Sequence, residues 1–193
     1  MKYILFLSIF IFALTCQKAT TSPDAVVTAI TTDEIHFSDG TKQRFPMENL
    51  EESTIFICVR HAEKATGQDP DLTTEGQARA DRLATILQNS DLFKVYSTVT
   101  NRTLQTAMPT IEALGCEHGS YKGDQLEDFI NTLLEHKAGK RFLIVGHSNT
   151  TPDVVNHLLR NAVYEHINHD DYGTFFVVAS HGVGSSEVLK PKF

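Results

Sequence analysis

Two histidines stand directly after continuous apolar runs. Thr54-Ile55-Phe56-Ile57-Cys58-Val59 leads into Arg60-His61-Ala62-Glu63-Lys64, and Phe142-Leu143-Ile144-Val145 leads into Gly146-His147-Ser148-Asn149-Thr150. A neutral imidazole is a nucleophile or base near physiological pH. A guanidinium is a fixed planar cation whose fork matches phosphate. Between the two histidines, Ser97 ends a shorter apolar run and Arg102 opens a helical pattern. Backbone N–H groups at such a helix start also favour anions. A lone histidine in this setting reads as a hydrogen-bonded residue at a strand end. Two histidines and two arginines converging on one small volume read differently. They suit phosphoryl transfer, which needs mainly positioning and charge stabilisation.

Convergence depends on the elements that carry these residues. A continuous apolar run is typical of a strand buried on both faces, so 54–59 and 142–145 are expected strands, with Phe93–Tyr96 a third. Ala80, Leu83, Ala84 and Leu87 recur at helical spacing, as do Leu104, Ala107, Met108 and Ile111, and Leu126, Phe129, Ile130, Leu133 and Leu134. Pro109 is expected to kink the second of these helices. Thr151-Pro152 reads as an N-cap and first helical position, ahead of Val154, Val155 and Leu158. Glu117–Tyr121, Thr174–Ala179 and Glu187–Leu189 are further short strands. Strands alternating with helices predict an α/β fold, a three-layer αβα sandwich with a mainly parallel sheet. Ligands in such folds bind beyond the carboxyl ends of the strands, where both histidines would sit.

The chain has 193 residues, Lys+Arg 17 against Asp+Glu 24, and three cysteines. There is no Lys/Arg run, which argues against nucleic acid as a partner. A phosphate pocket needs only a few local cations. Met1-Lys2 followed by apolar Tyr3–Leu14 has the layout of a secretory signal and is too short to span a bilayer comfortably. Residues 1–15 are read as that signal, residues 16–52 as a tether and small β-hairpin, and residues 53–193 as the main domain. Cys16 follows the apolar run as the lipidated cysteine of a bacterial lipoprotein would. Ordinary cleavage with release is the alternative. Export, to the periplasm or to a membrane anchor, is common to both. The polar tether runs to about residue 25, and Ser38-Asp39-Gly40 between two short alternating runs marks the hairpin. Cys58 and Cys116 read as buried thiols rather than a disulfide framework.

Four segments resemble the signatures of the histidine phosphatase (phosphoglycerate mutase-like) superfamily, in the family's order. Arg60-His61-Ala62-Glu63 is similar to its Arg-His-x-Glu. Leu72-Thr73-Thr74-Glu75-Gly76 is similar to its Leu-Thr-x-x-Gly. Ser97 with Arg102 through Gln105-Thr106-Ala107 is similar to its Ser…Arg-x-x-Gln-Thr-Ala, and Gly146-His147-Ser148 to its Gly-His-Ser block. The short spacings resemble the compact branch that includes the phosphohistidine phosphatases. The resemblance implies that His61 takes the phosphoryl group and becomes phosphohistidine. It also implies that Arg60, Arg102 and His147 hold the equatorial oxygens, and that no metal or other cofactor takes part. Glu63 either serves the site or pairs with a neighbouring Arg.

The resemblance implies a leaving-group acid that the chain does not clearly supply. Asp124, Glu127 and Asp128 are the local carboxylates. Asp124 is placed best, although an N-cap is the stronger expectation for it. His166, His169, Asp170 and Asp171 are grouped closely, but Asn168 and Asp-Asp-Tyr-Gly read as a surface loop rather than a metal site. The expected activity is that of an exported phosphatase acting on small phosphomonoesters. Alternatives are a lipid-anchored phosphate binder without turnover and a mutase-like phosphotransferase. Oligomeric state has no signature here.

Overall fold

The computed structural model describes residues 21–47, 49–136 and 138–193. The signal segment, Cys16 and the first part of the tether lie outside the described residues.

The main sheet has six strands: β4 (Thr54–Arg60), β5 (Lys94–Ser97), β6 (Glu117–Ser120), β7 (Arg141–Gly146), β8 (Phe175–Gly182) and β9 (Ser185–Leu189). Their spatial order is β6-β5-β7-β4-β8-β9. The first four run parallel, and β8 and β9 complete the sheet antiparallel. Every residue of β4 is buried. Ile55, Ile57 and Val59 face one core, while Phe56 and Cys58 face another. The period-two alternation of strand side chains makes both faces apolar, so both must be covered.

Helices α1 (Thr74–Leu87) and α2 (Asn101–Leu114) supply the first cover. Helices α3 (Leu126–His136) and α4 (Thr150–Leu159) supply the second. This is the expected three-layer αβα sandwich. Cys58 belongs to one core and Cys116 packs against the other. Both thiols are free, and Cys116 is only half-buried.

The N-terminal hairpin is larger than expected. Strands β2 (Glu34–Phe37) and β3 (Lys42–Arg44) form it, and β1 (Val27–Ile30) adds a third antiparallel strand. Val27, Ile30, Ile35 and Phe37 join the α1–α2 core, so this small sheet packs on the main domain. The described end of the tether is held as well. The Ser22 N–H donates to Asp39 Oδ2 at 2.7 Å, and Ala25 is buried.

Two helices differ from the sequence expectation. α2 runs through Pro109, but its buried residues are Thr103, Thr106, Ala107 and Thr110, while Met108 is exposed. Of the expected stripe, Ala107 is buried, Ile111 packs against the core and Leu104 is half-buried, while Thr103 and Thr106 are buried beside them with hydrogen-bond partners at the strand ends. α4 begins at Thr150 with Asn149 at its N-cap, so Thr151 is not the cap and Pro152 is the third helical residue. Thr150 and Thr151 are instead bonded to the strands. Thr150 Oγ1 accepts from the His147 N–H at 2.9 Å, and Thr151 Oγ1 donates to the Val59 carbonyl at 3.1 Å.

Candidate active site

Register brings the two histidines together. Arg60 pairs with Gly146 across β4 and β7, Ser97 pairs with Val145 across β5 and β7, and the His61 N–H donates to the Gly146 carbonyl at 2.9 Å. The imidazoles of His61 and His147 consequently stand 5.6 Å apart, centroid to centroid. Gly146 is required beside them. A Cβ there would lie 2.6 Å from both Thr150 Oγ1 and the Tyr121 hydroxyl.

Each imidazole is oriented. His61 Nδ1 lies 2.8 Å from the Ala62 carbonyl. A carbonyl only accepts, so Nδ1 carries the proton and Nε2 keeps its lone pair. His147 Nε2 lies 2.8 Å from Thr98 Oγ1, and Arg102 Nη2 lies 3.4 Å from His147 Nδ1. A guanidinium only donates. His147 Nδ1 is therefore the acceptor and Nε2–H donates to Thr98, whose hydroxyl meets Thr103 Oγ1 at 3.0 Å.

Both histidines are held neutral, with pKa values lowered to about 4. For His61, burial is the largest cause. Arg60, His147 and Arg102 add to it, and the Ala62 carbonyl opposes it. For His147, burial again leads, followed by Arg102 and Arg60, with Asp69 opposing. The neighbouring cations add to the depression, but desolvation outweighs them.

Arg60 is only 4% exposed. Its Nη1 meets three backbone carbonyls, those of Asn168, His169 and Asp171, at 2.9, 2.7 and 3.0 Å. Tyr172 lies under the guanidinium, 4.3 Å from its carbon to the ring centroid, and 6.1 Å from the His61 ring. Arg102 Nη1 is 3.3 Å from Asp69 Oδ1, which also accepts the Asn101 N–H at the start of α2. The Nε atoms of both arginines are buried without a protein partner. Buried polar groups are nearly always satisfied. Two cationic N–H groups thus stand unsatisfied at the sheet edge that carries both histidines.

The remaining motif residues brace this arrangement. Thr106 Oγ1 accepts the Ala62 N–H, and Gln105 Oε1 accepts the Leu72 N–H. Thr73 caps α1 by accepting the Gly76 N–H, and a Cβ on Gly76 would collide with the Glu63 carbonyl. Glu63 pairs with Arg79 through contacts of 2.6, 2.8 and 2.9 Å.

Asp124 lies in a single 3-10 turn, Gly123–Gln125. It is not the N-cap of α3, which begins at Leu126. It lines a separate cleft with Asp128, Asp153 and Arg160, whose walls include neither His61 nor Arg102. The carboxylate in contact with Arg102 is Asp69, in the loop before α1, a residue the sequence analysis did not single out. The loop carrying residues 168–171 also belongs to the site, since its backbone carbonyls grip Arg60. Among the described residues, no group of three or more His, Cys, Asp or Glu is arranged to hold a metal.

Residues 56–123 match the sequence model of the histidine phosphatase superfamily (branch 1). That segment carries Arg60, His61, Arg102 and the Gln105-Thr106-Ala107 triplet; His147 lies beyond it. No curated protein matches the chain. Solved structures show the same fold. A candidate phosphohistidine phosphatase SixA from Nakamurella multipartitia is 18% identical, with a TM-score of 0.54 over 72% of this chain and 93% of that one. The protein histidine phosphatase SixA in complex with tungstate is 14% identical, with a TM-score of 0.57 over 72% and 96%. A mycobacterial glucosyl-3-phosphoglycerate phosphatase is 10% identical, with a TM-score of 0.61 over 73% and 98%. The chain thus matches the superfamily's model over residues 56–123 and shares the fold of these structures.

Proposed function

We propose that this protein is an exported phosphatase that hydrolyses small phosphomonoesters through a phosphohistidine on His61. The observation that carries this reading is the His61 tautomer. Nδ1–H is fixed on the Ala62 carbonyl, so Nε2 is free to attack, and a low pKa keeps it unprotonated at neutral pH.

In the reaction, Nε2 forms a bond to phosphorus as the bond to the ester oxygen breaks. The leaving alcohol departs with a proton taken from the surroundings. Water then attacks the phosphohistidine, releasing phosphate and restoring His61. The intermediate divides one hard displacement into two easier ones. Arg60 and Arg102 hold the equatorial oxygens, where charge is spread in the transition state. Their unpartnered Nε–H groups are the donors available for this. His147, braced by Thr98, sits against the same oxygens, and an arriving dianion favours its protonated form.

Support also comes from the neighbours described as phosphatases, one of them holding tungstate, a phosphate-like oxyanion. The chemistry is built from His and Arg, so turnover is metal-independent. Leaving groups that need little help suit this site best, because Asp124 lies on another cleft. Cys16 after an apolar run supports export and a lipid anchor. Rapid mixing with labelled p-nitrophenyl phosphate followed by alkaline quench tests the intermediate. The expected result is alkali-stable label on His61. Turnover without a trapped phosphoenzyme, or label on another residue, would overturn the mechanism.

A further inference from the structure

A guanidinium offers five N–H groups around one plane, and which of them a ligand receives depends on what occupies the rest. At Arg60, three carbonyls of the 168–171 backbone crowd Nη1 at 2.7 to 3.0 Å. Tyr172 covers one face of the plane at 4.3 Å. Nε is buried with no partner.

The loop that does this is itself fixed. Asp171 Oδ1 accepts the N–H groups of Gly173 and Thr174, each at 3.0 Å, and Asp171 Oδ2 accepts from Thr174 Oγ1 at 2.6 Å. Further back, the Ile167 N–H donates to the Ser148 carbonyl at 2.8 Å, tying the loop to the residue after His147. Tyr172 also stands beside the nucleophile, with ring centroids 6.1 Å apart.

We propose that Tyr172 is a positioning residue: with the 168–171 carbonyls, it locks Arg60 so that the Nε edge of the guanidinium is the one presented to phosphate. This rests on the reading of the His61 edge as a phosphate site, but not on turnover. The loop carbonyls alone would leave the guanidinium plane free to rotate about the Nη1 contacts. The aromatic face removes that freedom, and its negative quadrupole stabilises a desolvated cation. Locking the plane beforehand lowers the cost of ordering it when the anion binds.

Calorimetric binding of inorganic phosphate to the full protein tests this, in wild type, Tyr172→Phe, Tyr172→Leu, Arg60→Lys and the Tyr172→Leu/Arg60→Lys double variant. A desolvated cation–π contact corresponds to about a tenfold affinity change. Tyr172→Phe should stay within about threefold of wild type, and Tyr172→Leu should lose about tenfold. In the Arg60→Lys background, Tyr172→Leu should have little further effect, because a lysine has no plane to lock. Urea unfolding of each variant separates this from loss of structure. Additive losses in the double variant, unaltered affinity in Tyr172→Leu, or a wild type that binds no phosphate would each overturn the proposal. Phosphate binding with the expected cycle but no phosphatase turnover would sink the enzymatic reading alone.

Discussion

The Thr106 hydroxyl on α2 accepts the N–H of Ala62 at 2.9 Å while donating to the Arg102 carbonyl at 2.7 Å. One buried side chain thereby joins the helix turn that carries Arg102 to the residue following His61. This link ties nucleophile to cation alongside the contacts that the intervening loop makes to α2 through Asp69 and Leu72. Removing the hydroxyl orphans a buried N–H, which costs about 1–3 kcal/mol. Thr106→Val should lose that much stability in urea unfolding and about tenfold in kcat/KM, because small misplacements at a site of this kind are costly. Thr106→Ser should retain most of both. Loss of stability with unchanged kcat/KM would show that the link does not set the geometry of the site.

The depressed histidine pKa values carry two pH dependences. In the folded state His61 and His147 take up protons only near pH 4, against 6.5 for an ordinary histidine. The unfolded chain therefore binds more protons between those values, and stability rises with pH across that window. The contribution is fully present above 6.5 and is lost as pH falls toward 4. Urea midpoints should fall across this range, and less steeply in His61→Asn. The acid limb of kcat/KM should likewise lie near pH 4, since the free enzyme's nucleophile titrates there. A limb near pH 6.5 would mean that His61 is not desolvated in the free protein.

Much of this site can be read from the sequence because its side chains follow strands. The apolar runs before Arg60 and Gly146 fix where β4 and β7 end, and parallel register then leaves little choice about where His61 and His147 meet. The residues that orient them are harder to see. Arg60 is gripped by backbone carbonyls of 168, 169 and 171, and a carbonyl has no residue-type signature. Tyr172 lies in an irregular loop with no periodicity to place it. Asp69 reaches Arg102 through a backbone turn with φ of 48°, which spacing alone does not encode. The buried face of α2 was obscured for a related reason. Hydropathy periodicity selects Leu104, Ala107, Met108 and Ile111, which finds Ala107 but passes over Thr103 and Thr106, buried because they bond at the strand ends.

Export rests on the apolar segment before Cys16. A lipid on Cys16 would place the protein at a membrane, and replacing that one residue tests it. Expression of the whole chain in a bacterial host with labelled palmitate should give a labelled, membrane-associated product. Cys16→Ser should abolish the label and release the protein. An unlabelled product of the wild type would remove the anchor from the account and leave the phosphatase chemistry untouched.

The most direct test of the central claim is hydrolysis of p-nitrophenyl phosphate in EDTA by wild type and His61→Ala, compared at about pH 6. The account predicts steady turnover by the wild type in the chelator. It also predicts a loss of at least about a thousandfold in the variant, as expected when a covalent nucleophile is removed. Turnover that persists in His61→Ala, or that vanishes in EDTA and returns with added zinc, would contradict it.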